Sequence, residues 1–257
     1  MWEQYSKLIK NKLKNKKIND EKYQYFLDHW DYKVNSFYNK IFNIWILKFY
    51  KKSLDNYNKV LDVWCWSWDF YIELKNIYKN INFTGIDFND EQILNFKNRL
   101  PWILIIKGST TDYGKVFWKF DIIHCRSVLQ YVDDFNLNKT INNFNNYLND
   151  DWKVILVIKN SNSLYWIMRE FLFYITKKEK KEFYRSIKFY EKIMNKKGFI
   201  LENKYWYWIK PFLPFEITNS IFYNIEAFLR FLLGDLNFMN NFSTQVYLSF
   251  KKKKWLI

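Results

Sequence analysis

The stretch VLDVWCWSWDFYIEL, residues 60–74, places an acidic residue where a nucleotide could bind. Apolar residues around Asp62 predict a buried strand, and DFYIEL predicts the start of a helix after a short turn. Nucleotides bind at such junctions in α/β folds, because backbone N–H groups at the helix start hold anionic groups. That chemistry needs glycines, which turn sharply and let a ligand approach closely, but Trp64, Trp66 and Trp68 stand there instead.

A second acidic residue, Asp87, follows the apolar run of NFTGIDF (82–88). It could cap the helix that begins near residue 90, but Asn89 or Asp90 would cap that helix better. The presence of an acid at position 87 therefore suggests a role other than helix capping.

The elements that position these residues alternate between short apolar strands and helices. The predicted strands are KVLDV (59–63), NFTGIDF (82–88), WILIIK (102–107), FDIIHC (120–125) and KVILVI (153–158), with helices to about 78, over 90–99 and near 134–148. This alternation predicts an α/β fold with a doubly wound, Rossmann-like parallel sheet, covered on both faces. Residues 1–58 have apolar residues at helical spacing and predict a helical N-terminal cap.

The second half of the chain predicts more helices and two final strands. The run SLYWIMREFLFYI (163–175) is helical, and a helix over 179–198 ends at Gly198. FILENKYWYW (199–208) and TQVYLSF (244–250) predict strands, and 211–240 predicts apolar helices. We therefore expect one domain over 59–257, with apolar helical insertions at about 160–180 and 211–240.

With glycine in place of the three tryptophans, residues 60–68 become VLDVGCGSG, which resembles motif I of the class I S-adenosylmethionine-dependent methyltransferases. The resemblance continues in TGIDF, FDIIHCRSVLQYVDD, NDDWKVILVIKNSNS and KFYEKIMNKKGFILEN, in the family's order, and covers roughly 59–208. It implies a seven-stranded sheet whose last strand is antiparallel. It also implies an enzyme that transfers a methyl group from S-adenosylmethionine to a small-molecule acceptor.

The resemblance implies cofactor-binding roles for particular positions. Asp62 would orient the motif I loop and the cofactor's amino group, and Asp87 would hold both ribose hydroxyls. Ser109 stands where the family commonly has an aspartate at the adenine, so Ser109 or Thr110 would accept from the adenine amino group, with Asp112 as an alternative. The implied cofactor-binding set is Asp62, Trp64, Cys65, Trp66, Ser67, Asp87, Phe88, Ser109, Thr110 and Cys125.

The residues that would contact the methyl acceptor are less clearly indicated by the sequence. His124 could act as a general base for an acceptor hydroxyl, but a histidine satisfied within its strand is at least an equal explanation. Tyr131 is the second catalytic candidate, and Asn160 and Tyr165 could line the acceptor pocket. The apolar helices suggest a lipid-, quinone- or glycan-linked acceptor, with peripheral membrane contact, while plain core packing is the alternative.

The tryptophans stand at the family's glycine positions 64, 66, 68 and 152, and at plausible glycine positions 118 and 206. The 5 glycines and 13 tryptophans together make about 7% of the chain, the usual share of glycine alone. Our hypothesis is that the gene uses UGA for glycine and was translated with UGA as tryptophan. If the tryptophans are genuine, the chain is a methyltransferase-like binding protein without catalysis.

The net charge of +15 also allows an RNA or protein methyltransferase. Only five of the 41 basic residues are arginine, the residue preferred for bidentate phosphate contacts, so nucleic acid is the weaker interpretation. Two cysteines and two histidines provide neither a disulfide framework nor a metal-binding pattern. No signal peptide or membrane span is recognised, so a cytoplasmic protein is expected.

Overall fold

A computed structural model describes residues 59–63, 71, 74–75, 78–111, 118–176, 182–208 and 243–253. The strands are β1 (Lys59–Val63), β2 (Asn82–Asp87), β3 (Leu104–Lys107), β4 (Phe120–Arg126), β5 (Leu148–Lys159), β6 (Phe199–Trp208) and β7 (Gln245–Lys252). The helices are α1 (Asp90–Arg99), α2 (Asp134–Tyr147), α3 (Leu164–Thr176) and α4 (Ile187–Lys196), with a 3-10 helix at Leu129–Tyr131. The predicted cap over 1–58 and the predicted insertion over 211–240 lie outside the described residues.

The seven strands form one sheet in the order β3-β2-β1-β4-β5-β7-β6. β1 to β5 pair in parallel, and β7 runs antiparallel to both β5 and β6. The predicted doubly wound sheet with an antiparallel last strand is therefore confirmed. The strand order reverses between β1 and β4, and ligands of open α/β sheets bind at such a reversal, beyond the carboxyl ends of the strands.

The central strands are apolar on both faces because helices cover them. On one face, α2 and α4 pack on the sheet in a cluster that includes Leu61, Ile123, Ile141, Phe144 and Met194. This burial explains why β1 and β4 lack the polar alternation of a half-exposed strand.

Local sequence signals set several helix ends as predicted. Asn89 caps α1 by accepting from the backbone N–H groups of Glu91 and Gln92. Gly198 follows α4 with φ of 86°, a left-handed conformation that costs glycine little. Neither Asp87 nor Asp90 is the cap, which leaves the Asp87 carboxyl group for another purpose.

One predicted helix is shorter than expected. We predicted a helix over 179–198. Of the part of this range that the structure describes, 182–198, residues Ile187–Lys196 are helical, and Arg185 forms a bridge to Asn160 just after β5. Helical periodicity in this segment was outweighed by the contacts of its charged residues, which are described below. Within the described ranges, no helix is long and apolar enough to cross a membrane.

Candidate functional site

Asp62 and His124 form a buried pair at the point where the strand order reverses. β1 and β4 are neighbours, and their register places Asp62 directly beside His124. The His124 Nδ1 atom lies 2.9 Å from Asp62 Oδ1, and the two side chains are 1% and 7% exposed. An ionised carboxylate can only accept hydrogen bonds, so Nδ1 is the donor in this pair.

Asp87 ends β2 and holds a buried carboxyl group only partly supplied with hydrogen bonds. Its Oδ1 accepts from the backbone N–H of Asn89 at 2.9 Å. Its Oδ2 is buried and accepts no hydrogen bond from the residues that the structure describes. Burial raises the pKa of Asp87 from 3.8 to about 7, despite backbone N–H groups that lower it, and the charge of Asp62 adds to the rise.

The two carboxyl groups share one edge of the sheet. Asp62 is the fourth residue of the five-residue strand β1, and Asp87 is the last residue of the neighbouring parallel strand β2. A buried carboxylate oxygen without a hydrogen bond is costly, so Asp87 Oδ2 requires an explanation. Together these carboxylates can accept hydrogen bonds from hydroxyl or amino groups of a bound ligand.

The segments after β2 and β3 supply further residues of the predicted set. Phe88, directly after Asp87, is about half exposed. The Ser109 hydroxyl lies 2.8 Å from the Thr111 hydroxyl and accepts from the Thr111 backbone N–H. The Thr110 carbonyl accepts from the Asn143 side chain of α2. Ser109 and Thr110 are half-buried and lie just beyond the carboxyl end of β3.

Cys125 lies in the core cluster at the end of β4. Desolvation raises the pKa of this thiol well above its ordinary value, and the charge of Asp62 adds to the rise. The side chain is therefore a neutral, buried thiol rather than a nucleophile.

The motif I turn, with Trp64, Cys65, Trp66, Ser67 and Trp68, lies outside the described residues, as does Asp112. Three other tryptophans from the glycine hypothesis, Trp118, Trp152 and Trp206, lie within the described residues. Among the described residues, positive φ occurs at Ser127, Asp151 and Gly198. The backbone at Trp118 and Trp152 therefore adopts ordinary conformations, and Trp152 packs partly buried against the core.

Tyr131, the second catalytic candidate, belongs to a cluster around a buried ion pair. Lys159, at the end of β5, donates to both carboxylate oxygens of Glu182 at 2.9 and 2.8 Å. The Lys159 ammonium group lies 4.9 Å from the Trp166 ring centroid and 5.8 Å from the rings of Tyr131 and Tyr184. These distances are those of cation–π contacts.

Burial opposes ionisation of Glu182, but its partners outweigh that effect. The Lys159 charge and hydrogen bonds from Lys159, Tyr184 and Tyr131 hold the pKa of Glu182 below its ordinary value. The carboxylate therefore stays ionised and holds the Tyr131 hydroxyl.

Arg185, which lies three residues after Glu182, contacts the start of α2. Its guanidinium donates to the Asp134 carboxylate and to the backbone carbonyls of Leu129 and Val132. Sequence reasoning missed Lys159, Glu182 and Arg185. The one available signal was the position of Lys159 at the end of an apolar strand.

Asn160 and Tyr165, which we predicted to line the acceptor pocket, lie just after β5 and at the start of α3. Asn160 is fully buried, with its side chain donating to the Ser243 carbonyl and accepting from the Asn162 backbone N–H. The ring of Tyr165 packs edge-on against Trp166 with centroids 4.7 Å apart. Asn160 thus joins the end of β5 to the residues that precede β7.

No protein-family model matches this chain, and no curated protein sequence matches it. Solved structures do match its fold. Magnesium protoporphyrin IX methyltransferase ChlM from Synechocystis PCC 6803, solved with bound SAH, has a TM-score of 0.60 at 11% identity, covering 88% of this chain and 89% of that chain.

Two further structures give the same result. An S-adenosylmethionine-dependent methyltransferase from Clostridium acetobutylicum ATCC 824 has a TM-score of 0.56 at 12% identity, over 88% of this chain and 94% of that chain. Another from Mesorhizobium loti has a TM-score of 0.51 at 10% identity, over 76% and 90%. The chain therefore has the fold of these methyltransferases.

Proposed function

We propose that this chain is an S-adenosylmethionine-dependent methyltransferase that acts on a small-molecule acceptor. The observation that carries the proposal is the buried Asp87 carboxyl group. Its Oδ2 accepts nothing from the described residues, and its pKa is raised to about 7 by burial. Two ribose hydroxyls would supply the missing hydrogen bonds, and the position of Asp87 at the end of β2 matches the family's ribose-binding acid.

The remaining residues fit the same ligand. Asp62 would accept from the cofactor's amino group, Phe88 would pack against the adenosine, and Ser109 or Thr110 would contact the adenine. The turn over 64–67 would surround the methionine end. Glycine in that turn leaves room for a ligand, whereas indole rings would fill the space.

When bound, S-adenosylmethionine supplies an electrophilic methyl group on a sulfonium sulfur. The chain's own contribution is to hold the two partners in line and to exclude water. The ribose and amino-group contacts at Asp87 and Asp62 fix one partner. Tyr131, held by Glu182, would contact the other.

An apolar acceptor is supported by α3. This helix exposes Ile167, Phe171, Tyr174 and Ile175, spaced three or four residues apart along one side. An exposed apolar stripe of this kind fits a membrane surface or an apolar ligand. We therefore include peripheral membrane contact from the cytoplasmic side in the proposal.

The first test is calorimetric binding of S-adenosylmethionine and S-adenosylhomocysteine to two proteins: the chain as written, and the chain with glycine at 64, 66, 68, 118 and 152. Binding by the glycine protein alone supports both the enzyme and the translation hypothesis. Equal binding by both proteins refutes the argument about the turn but keeps the proposed function. If neither binds, a non-catalytic binding protein becomes the better interpretation.

A matched pair of variants tests the site within whichever protein binds. Asp87→Asn should lower cofactor affinity at least tenfold, because one carboxylate oxygen becomes an amide donor facing the ribose. Asp90→Asn, three residues away on the exposed start of α1, should change it less than twofold. Equal effects of the two variants would contradict a ribose contact at Asp87.

A further inference from the structure

We propose that His124 is a positioning residue, which holds the Asp62 carboxylate in the orientation that the cofactor's amino group requires. This inference rests on the proposed function and assigns His124 a role other than general base. It starts from the 2.9 Å contact between His124 Nδ1 and Asp62 Oδ1 across the two strands at the reversal of strand order.

The surroundings of Asp62 explain why a carboxylate there needs a fixed partner. The residues on its own face of the sheet, Val60 of β1 and Ile122 of β4, are fully buried and apolar. A buried carboxylate without a hydrogen bond is strongly unfavourable in such apolar surroundings. His124 supplies that bond from the adjacent strand, 62 positions away in the chain.

In this inference the two oxygens of the Asp62 carboxylate have different partners. Oδ1 is held by the imidazole inside the sheet, which leaves Oδ2 as the oxygen that can meet a ligand at the strand end. A side chain fixed at one oxygen loses little further freedom when it binds, so affinity is gained by preorganisation. Because Nδ1 donates its hydrogen bond to Asp62, His124 cannot use that atom to take a proton from an acceptor.

The test compares two substitutions at His124 by calorimetry with S-adenosylhomocysteine, in whichever parent protein binds it. His124→Asn keeps an N–H donor near the position of Nδ1, and His124→Leu removes the donor while keeping apolar volume. We expect His124→Leu to weaken binding at least tenfold and His124→Asn less than threefold. Thermal unfolding confirms that each variant is folded.

Two results would overturn the inference while leaving the proposed function intact: unchanged binding by folded His124→Leu, or an equal loss in both variants. A parent that binds nothing overturns both proposals, so the two failures are distinguishable.

A double-mutant cycle separates positioning from packing. In an Asp62→Asn background, His124→Leu should cost less than twofold in affinity, because the carboxylate that it positions is gone. A loss as large as in the parent would assign His124 to core packing and overturn the inference. Nitrogen NMR adds a direct readout, since the chain has only two histidines and His29→Gln leaves the two ring nitrogens of His124 alone. The inference requires a proton on Nδ1 of His124, and a bare Nδ1 contradicts it.

Discussion

At the residue scale, the most informative group is the Asp87 carboxyl group. Its burial is unfavourable, and its Oδ2 accepts no hydrogen bond from the described residues. Its pKa of about 7 means that the free protein holds it half protonated near neutral pH. A ligand that donates two hydroxyl hydrogen bonds would favour the ionised form. Binding and proton release are therefore linked at this residue.

This linkage predicts that cofactor affinity rises with pH through about 7. Between pH 8 and pH 6 the ionised fraction of Asp87 in the free protein falls about tenfold, so the dissociation constant should increase about tenfold. Calorimetry across this range measures it, and buffers of different ionisation enthalpy report the proton released. A dissociation constant that is flat from pH 6 to pH 8 would contradict the ribose role of Asp87.

Glycine substitutions at different tryptophans should have different effects on cofactor affinity. The backbone at Trp118 and Trp152 does not require glycine, so single glycine substitutions there should leave cofactor affinity unchanged within twofold. Glycine at 64, 66 and 68 together should raise affinity at least tenfold, because three side chains leave the turn. Calorimetry of both sets decides this, and a gain confined to 118 and 152 would refute it.

At the element scale, residues 182–186, which precede α4, link the ends of β4 and β5 to the start of α2. Glu182 binds Lys159 of β5, while Arg185 binds Asp134 and the carbonyls that precede α2. These contacts are largely buried, so losing one partner leaves an uncompensated charge. Tyr131 depends on this segment for the hydrogen bond to its hydroxyl.

Removing one partner of the buried pair should therefore destabilise the fold. Lys159→Met should lower the free energy of unfolding by about 3 kcal/mol at pH 7. Lys107→Met, which breaks the exposed pair with Asp90, should cost less than about 1 kcal/mol. Urea denaturation measures both, and similar losses would contradict the difference in burial.

The pH dependence of that loss has a definite sign. Because the pKa of Glu182 is depressed, the stabilisation from the pair is present above its ordinary value of 4.5 and disappears as pH falls through the lower, folded-state value. The difference between parent and Lys159→Met should therefore shrink below about pH 4.5. A difference that grows on acidification would contradict an ionised Glu182 paired with Lys159.

The apolar side of α3 makes a separate prediction about membranes. Phe171→Ser combined with Tyr174→Ser should reduce binding to vesicles of anionic phospholipid at least fivefold, because two largely exposed rings can no longer enter the bilayer surface. Phe135→Ser, at an equally exposed ring on α2, is the matched control. Equal losses, or no vesicle binding by the parent, would contradict membrane contact through α3.

At the scale of the whole molecule, the sheet order places the candidate groups in one place. The reversal between β1 and β4 puts Asp62 and His124 side by side, with Asp87 on the next strand. The ends of β4 and β5 place Tyr131 and Lys159 close together. One edge of the sheet thus carries both the predicted cofactor residues and the cluster that holds Tyr131.

The sequence alone determined the elements whose signals are local. Five apolar runs predicted the parallel strands, Asn89 and Gly198 marked helix ends, and the order of segments predicted the fold. These succeed because apolar periodicity and capping act over a few residues. The positions of Asp62 and Asp87 near the carboxyl ends of the predicted strands also indicated which acids could meet a ligand.

Only the tertiary structure decided which of these side chains are paired, buried or exposed. Asp62 and His124 are 62 positions apart, and nothing local to either shows their contact. Residues 182–186 have helical periodicity but are held out of the helix by Lys159 and by the start of α2. The pKa of Asp87 depends on desolvation by surrounding elements. Pairing and desolvation arise from distant parts of the chain, so they appear only once the sheet has assembled.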